Sequence, residues 1–292
     1  MLLDWCPMKT PLWRFLDDIR CGDAACCGNK AANLGELAAS GHAVPAGIVL
    51  TTDAFDAFLA CAGLQALVTI RADETLDASV GRLVCIEKEI AELFAASQLP
   101  PDIVDAVRRW TGKRDGRRFV VRSCATNEDQ VGATFAGLYR SVVGVSGIEI
   151  PEMVVKCFAS LFSARAGQYR RRRRIAGLGS MAVMVQELVE SDCAGVVFTR
   201  APRQPDCLLI ECAPGFADPV VSGSVAPSRY YLDRSTFEVA RAVERHNLNP
   251  VWMPAIGREA LAIEAEFGGS QDIEFGIGHG TVQIFQARAA IT

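Results

Sequence analysis

The chain closes on two runs in which apolar and polar residues alternate, residues 271–277 and 281–289, joined by Gly278-His279-Gly280. A connection that short makes the two runs a hairpin. Alternation with period two then assigns every side chain to one face or the other. With the turn centred on His279, Glu274 falls opposite Ile284 and Asp272 opposite Gln286, and Asp272, Glu274, Gln286 and Arg288 share one face. Two carboxylates, an amide oxygen and a guanidinium together suit magnesium and phosphate, because the hard cation takes oxygen ligands and arginine grips phosphate oxygens. An ordinary wet sheet face carrying one ion pair shows the same alternation.

Composition narrows the classes. A chain of 292 residues, half of them hydrophobic and 22% charged, can bury a sizeable core in one large domain or two coupled ones. A net charge of −4 with a single basic run, residues 170–174, argues against a nucleic-acid partner, and that run reads as the solvated end of a helix. The 11 cysteines are scattered and odd in number, and Cys207 and Cys212 lie in an apolar run. Free thiols in a reducing compartment account for them. Cys21, Cys26 and Cys27 lack the paired spacing and the neighbouring histidine of a zinc site. The first residues do not read as a signal peptide, no apolar stretch reaches the length of a membrane span, and the expected location is the cytoplasm.

The first part of the chain reads as mixed helix and strand. Helices are expected over residues 29–40, 53–63, 75–97, 101–110 and 151–174, with strands at 47–51, 118–123 and 139–145. Thr52 is the expected cap of the second helix. After Gly177 strand-like runs dominate, with one helix at 258–267. The Gly177-Leu178-Gly179-Ser180 segment therefore divides the chain into an N-terminal α/β lobe, 1–178, and a C-terminal sheet-rich lobe, 179–292.

Two more constellations could carry chemistry. A buried strand delivers Arg122 into a loop of small and polar residues, where Gly132 to Gly137 could bring backbone N–H groups to an anion; an ordinary surface loop reads the same way. Lys30 sits at a helix start, where a phosphate would meet both an ammonium and helix N–H groups, although a lysine there is often merely exposed. There is no Walker-type loop and no dinucleotide fingerprint. The three histidines, His42, His246 and His279, are isolated, and no serine or cysteine is paired with a base.

Taken together, four blocks resemble the nucleotide-binding domain shared by phosphoenolpyruvate synthase, pyruvate phosphate dikinase and rifampin phosphotransferase. They are GNKAANLGELAASGHAVPAGIVLTTDAF, VVRSCATNEDQVGATFAG, MAVMVQELVESDCAGVVFTRAP and QDIEFGIGHGTVQIFQAR, in family order over residues 28–288. The resemblance implies an α+β, two-lobed ATP-grasp fold with ATP in the cleft between lobes. It implies that Lys30 and Arg122 bind the ATP phosphates and that Thr134, Phe135, Ala136 and Gly137 cover them. Gln186, Glu187 and Leu188 would lie along the adenine and read it through backbone groups. Glu274 and Gln286 would hold Mg2+ with Asp272 close by, and Arg288 would stabilise charge on the transferred group. The sequence departs from the family at Cys124, where a second serine is usual, and at Gly215-Phe216-Ala217-Asp218, where Gly-Leu-Gly-Glu is usual. The histidine-bearing carrier domain of the larger relatives is not seen in the chain. The resemblance therefore implies dikinase-like phosphoryl or pyrophosphoryl transfer to a histidine on a separate carrier or to a small molecule. An ATP-grasp ligase acting through an acyl phosphate, and a nucleotide-binding subunit without turnover, stay open beside it.

Overall fold

The computed structural model describes residues 11–127, 139–173, 175, 178–246 and 249–290. Two compact units divide the chain: Met1–Ala32 with Gly47–Leu188, and Asn33–Ala46 with Val189–Thr292. The boundary expected at 178/179 is displaced, because residues 181–187 supply a central strand of the first unit's sheet.

In the first unit, β1 (Trp13–Phe15), β2 (Gly47–Leu50), β3 (Phe119–Ala125), β4 (Ser141–Val145) and β5 (Met181–Glu187) form one sheet, ordered β1-β2-β5-β3-β4. Its helices are α1 (Ala24–Ala39, shared with the second unit), α2 (Thr52–Ala62), α3 (Gln65–Glu74), α4 (Val80–Ala95), α5 (Pro101–Gly112), α6 (Ile150–Ala159) and α7 (Ala164–Arg173). Apolar residues recur at helical spacing on α4, where Leu83, Ile86, Ile90 and Phe94 are buried. Ile86, Ile90 and Phe94 share a core with Phe55 and Phe58 of α2 and Phe158 of α6, with ring centroids 5.0 Å apart for Phe58–Phe94 and for Phe55–Phe158. Ile48, Leu50, Phe119, Val121, Val183 and Val185 close this core from the sheet.

Several expected elements are divided or shifted. The helix expected over 75–97 is α4 alone, which starts only at Val80, where Ser79 caps it through Arg82 N–H at 3.2 Å; α3 precedes the expected span. The helix expected over 151–174 breaks at a 3-10 turn, Ser160–Phe162, and Ser163 Oγ accepts from Ala166 N–H as α7 begins. Thr51, not Thr52, precedes α2, and its hydroxyl donates to Pro11 O instead of capping. Arg170, expected in a solvated run, is 1% exposed. Its Nη1 donates to Leu161 O at 3.2 Å, and burial holds its pKa below the ordinary arginine value, partly offset by Tyr139.

In the second unit, β6 (Cys193–Phe198), β7 (Cys207–Pro214), β8 (Ser228–Asp233), β9 (Val239–Val243), β10 (Gln271–Gly278) and β11 (Thr281–Ala289) form a sheet ordered β11-β10-β6-β7-β8-β9. One face packs on α9 (Met253–Phe267) through Met253, Ile256, Ala260 and Ile263; a short helix, α8 (Asp218–Val221), follows β7. The edge strand β9 is exposed at all five residues. Among the described residues every strand pair in both sheets is antiparallel, so the chain is α+β, as expected. Among them, too, no single helix is long and apolar enough to cross a membrane.

At the middle of the second sheet, β6 and β7 approach so closely at Gly195 that an added Cβ would lie 1.9 Å from Glu211 O. Gly195→Ala should therefore force the central ladder apart and cost on the order of 3 kcal/mol or more, the range of large core disruptions. A urea midpoint unchanged from wild type would contradict this packing.

Candidate functional site

The first unit carries one cluster. The helical path of α1 breaks at Gly28, with φ 75° and ψ 152°. A Cβ there would sit 2.5 Å from Cys124 O, so the start of α1 lies against the β3 backbone at a distance only glycine allows. Lys30 follows in the first turn after the break, as its expected place at a helix start requires. It is 7% exposed, and its Nζ donates to Ser123 O at 3.3 Å. Arg122, 9% exposed, is the residue before Ser123 on β3. Alternation puts Arg122 on the face opposite the core residues Phe119 and Val121. Lys30 is thus held to the backbone of the strand that carries Arg122.

The same face carries Gln186. On β5, Met184 is opposite Arg122 and Gln186 is opposite Val120, so Gln186 is diagonal to the arginine. Gln186 is 3% exposed and also faces Gly47 of β2, where a Cβ would crowd its side chain to 2.9 Å. The side chain of Glu187 is committed to Arg114 at 2.6 Å and lies 3.7 Å from Arg117. The N–H of Leu188 donates to Arg118 O at 2.9 Å, so that one backbone donor is engaged within the sheet. Thr134, Phe135, Ala136 and Gly137 lie outside the described residues.

The second unit carries the hairpin. The turn is two residues, His279 (φ 54°) and Gly280 (φ 75°), the left-handed pair that a tight hairpin requires. The expected register is corrected: Glu274 is opposite Gln286 and Asp272 is opposite Arg288, because the two-residue turn centres between His279 and Gly280 and a bulge falls between Glu274 and Phe275. Ile284 moves opposite Phe275 and joins the buried face. The four polar residues still share one face, now as two directly opposed pairs. Arg288 donates to Asp272 Oδ2 from Nε at 3.0 Å and from Nη2 at 2.6 Å. Gln286 is 6% exposed. Among the described residues no three His, Cys, Asp or Glu side chains gather into a metal-binding group. The hairpin's set is two carboxylates and an amide oxygen, hard donors of the kind magnesium accepts.

The sheet extends this face beyond what alternation in the hairpin alone indicated. The row through Gln286 and Glu274 continues across Val196 to Glu211 and Arg229, which are paired at 2.6 Å. The next row runs Arg288, Asp272, Phe198, Leu209, Tyr231 and Arg241, with the Arg241 guanidinium 5.5 Å from the Tyr231 ring centroid. Glu211 was not singled out because strand order, not spacing along the chain, places it two strands from Glu274.

None of the histidines is presented as a simple nucleophile. His42 Nδ1 lies 2.7 Å from Glu259 and its Nε2 3.2 Å from Glu266. His246 Nε2 lies 3.0 Å from Ala226 O, and His279 stands exposed on the turn.

Comparisons place this geometry. The chain is 32% identical over 314 residues to a probable phosphoenolpyruvate synthase of Methanothermobacter thermautotrophicus, covering 95% of this chain and 46% of that protein. It is 30% identical to a rifampicin phosphotransferase of Bacillus cereus, covering 91% of this chain and 34% of that protein. It thus spans less than half the length of either relative. Among solved structures, D-alanyl-alanine synthetase A from Vibrio cholerae matches at a TM-score of 0.35 and 14% identity over 65% of this chain and 46% of that one, a likeness on which nothing here rests. The family model for the pyruvate phosphate dikinase AMP/ATP-binding domain matches residues 24–252, a span that includes Lys30, Arg122 and Gln186 and ends before the hairpin. The chain belongs to the pyruvate phosphate dikinase AMP/ATP-binding domain family.

Proposed function

We propose that this chain is an ATP-grasp domain that binds magnesium-ATP and passes a phosphoryl or pyrophosphoryl group to an acceptor, either a histidine on a separate carrier or a small molecule. The observation that carries this reading is Lys30, nearly buried and held to the backbone of the strand that carries Arg122, in a chain of this nucleotide-binding family. Two nearly buried cations on adjoining backbone segments make a local field suited to polyphosphate. Phosphoryl transfer asks a protein for positioning and charge neutralisation more than covalent chemistry. Lys30 and Arg122 supply the cations for phosphate oxygens. Asp272 holds the Arg288 guanidinium by two of its nitrogens, which orients it toward charge developing on the transferred group. Glu274 and Gln286 would hold magnesium, which when bound neutralises phosphate charge. Gln186 and the end of β5 would lie along the base.

Magnesium-ATP should raise the melting temperature, since a ligand specific to the native state at about 100 times its Kd adds about 2.7 kcal/mol. Calorimetry on folded protein showing no heat with ATP and magnesium would overturn the proposal.

Glu274→Gln and Gln286→Ala should each lower turnover on the order of 100-fold, the scale of losing one electrostatic contact to a transition state, while urea midpoints move little. Wild-type turnover in either variant would remove the hairpin from the metal site.

The isolated chain should hydrolyse ATP slowly and gain rate when its acceptor is added. It should also carry no stable phosphohistidine, given that His42 lies between two carboxylates and His246 against a carbonyl. Incubation with γ- and β-labelled ATP, then alkaline gels and mass spectrometry, checks this. Stoichiometric base-stable label on His42, His246 or His279 would make the chain its own acceptor. AMP as product indicates dikinase-like transfer, and ADP indicates a kinase or an acyl-phosphate ligase.

A further inference from the structure

We propose, on the reading that Gln286 holds magnesium and Arg288 meets the transferred group, that Asn33 is a positioning residue of the hairpin: its side-chain amide holds β11 at Ala287 and so sets where Gln286 and Arg288 stand. Asn33 lies on α1 in the block GNKAANLG, one turn after Lys30. Its Nδ2 donates to Ala287 O at 3.0 Å. Ala287 is the residue between Gln286 and Arg288 on β11. Its own side chain is buried, as is that of Ile284, while alternation puts its two neighbours on the opposite face. A carbonyl fixed at that point therefore sets the height and twist of both neighbours.

The strand needs such a hold. Among the described residues β11 is the last strand of its sheet, and an edge strand opens more readily than a central one. The bulge adds one extra residue, Phe285, immediately before Gln286 and disrupts the ladder there. Residues 33–46 meet this strand at two points. Asn33 takes Ala287 O, and Ala43 O accepts the Ile284 N–H at 2.8 Å. The two contacts bracket Phe285 and Gln286, so the stretch that follows the bulge is held at both ends. The bracing segment is itself anchored to α9. Ser40 Oγ donates to Glu266 Oε1 at 2.7 Å, and the His42 ring nitrogens lie 2.7 Å from Glu259 and 3.2 Å from Glu266. Of the two contacts on β11, Asn33 makes its own through a side chain, which a substitution can remove. Fixing the strand before a ligand arrives spares the ligand the entropy of ordering it.

The test measures metal binding and needs no turnover. Manganese, which takes the same oxygen donors as magnesium, is titrated into the full chain saturated with a non-hydrolysable ATP analogue, and free Mn2+ is read by electron paramagnetic resonance. Asn33→Ala and Asn33→Leu should each weaken Mn2+ binding by about 10-fold, the scale of leaving one buried acceptor without its donor. Leucine fills the space of asparagine, so equal losses in the two variants assign the effect to the hydrogen bond. Asn33→Gln, which keeps an amide donor, should recover part of the loss. Analogue binding without metal should stay at the wild-type level in all three, and urea midpoints confirm that they fold. Ser40→Ala loosens the same segment at α9 while leaving both β11 contacts in place, and should bind Mn2+ as wild type does. Wild-type Mn2+ affinity in both Asn33→Ala and Asn33→Leu would overturn the proposal. So would a loss confined to Asn33→Ala, which would mark a packing role, or an equal loss in Ser40→Ala, which would mark general loosening. A wild-type complex that binds the analogue but no Mn2+ would remove the metal reading of the hairpin, and this role with it.

Discussion

The close approach of α1 to β3 is the contact on which the first unit's chemistry depends. Gly28 lets the helix begin against the Cys124 carbonyl, and only from that position does Lys30 reach Ser123 O. A side chain at position 28 would lift the helix start and with it the ammonium. The missing side chain is thus a distance constraint on a cation two residues later. It also links local backbone geometry to electrostatics, since a lysine carried nearly out of water acts in a lower effective dielectric than a surface lysine would.

The hairpin solves a different problem, that of keeping an arginine still. Arg288 has many rotamers, and ordering it costs side-chain entropy when a ligand arrives. Asp272 fixes it beforehand through two nitrogens to one oxygen. The bulge beside Phe275 matters for the same reason. It brings Gln286 directly across from Glu274, so the two oxygen donors are neighbours and not diagonal.

Much of this was legible in the chain. The alternation around Gly278-His279-Gly280 announced the hairpin and the shared face of Asp272, Glu274, Gln286 and Arg288, because side-chain period and turn length are local properties. The register was not legible, since one extra residue at a bulge leaves the alternation looking regular over most of its length. The late start of α4 at Ser79 and the break of 151–174 at Ser160–Phe162 are not legible, because the chain turns there to follow a core that only the folded sheet defines. Arg170 was misread with its charged neighbours, although Ala166 and Gly167, four and three residues before it, are buried on the same helix and mark that face. The boundary at 178/179 followed a change in texture, whereas membership of β5 in the first sheet is a pairing with residues more than fifty positions away. Glu211 was missed for the same non-local reason.

The edge strand β9 has a consequence for handling the protein. A strand whose five residues all face water offers its outer backbone groups to any extended chain, and Val239 and Val243 add apolar ends to that template. Arg241 stands at its centre, drawn over Tyr231, with Glu238 and Glu244 flanking the strand. Charge in those positions is what keeps an open edge from recruiting its own kind. Neutralising that strip, by substitution or by salt, would remove the charge that opposes edge-to-edge pairing.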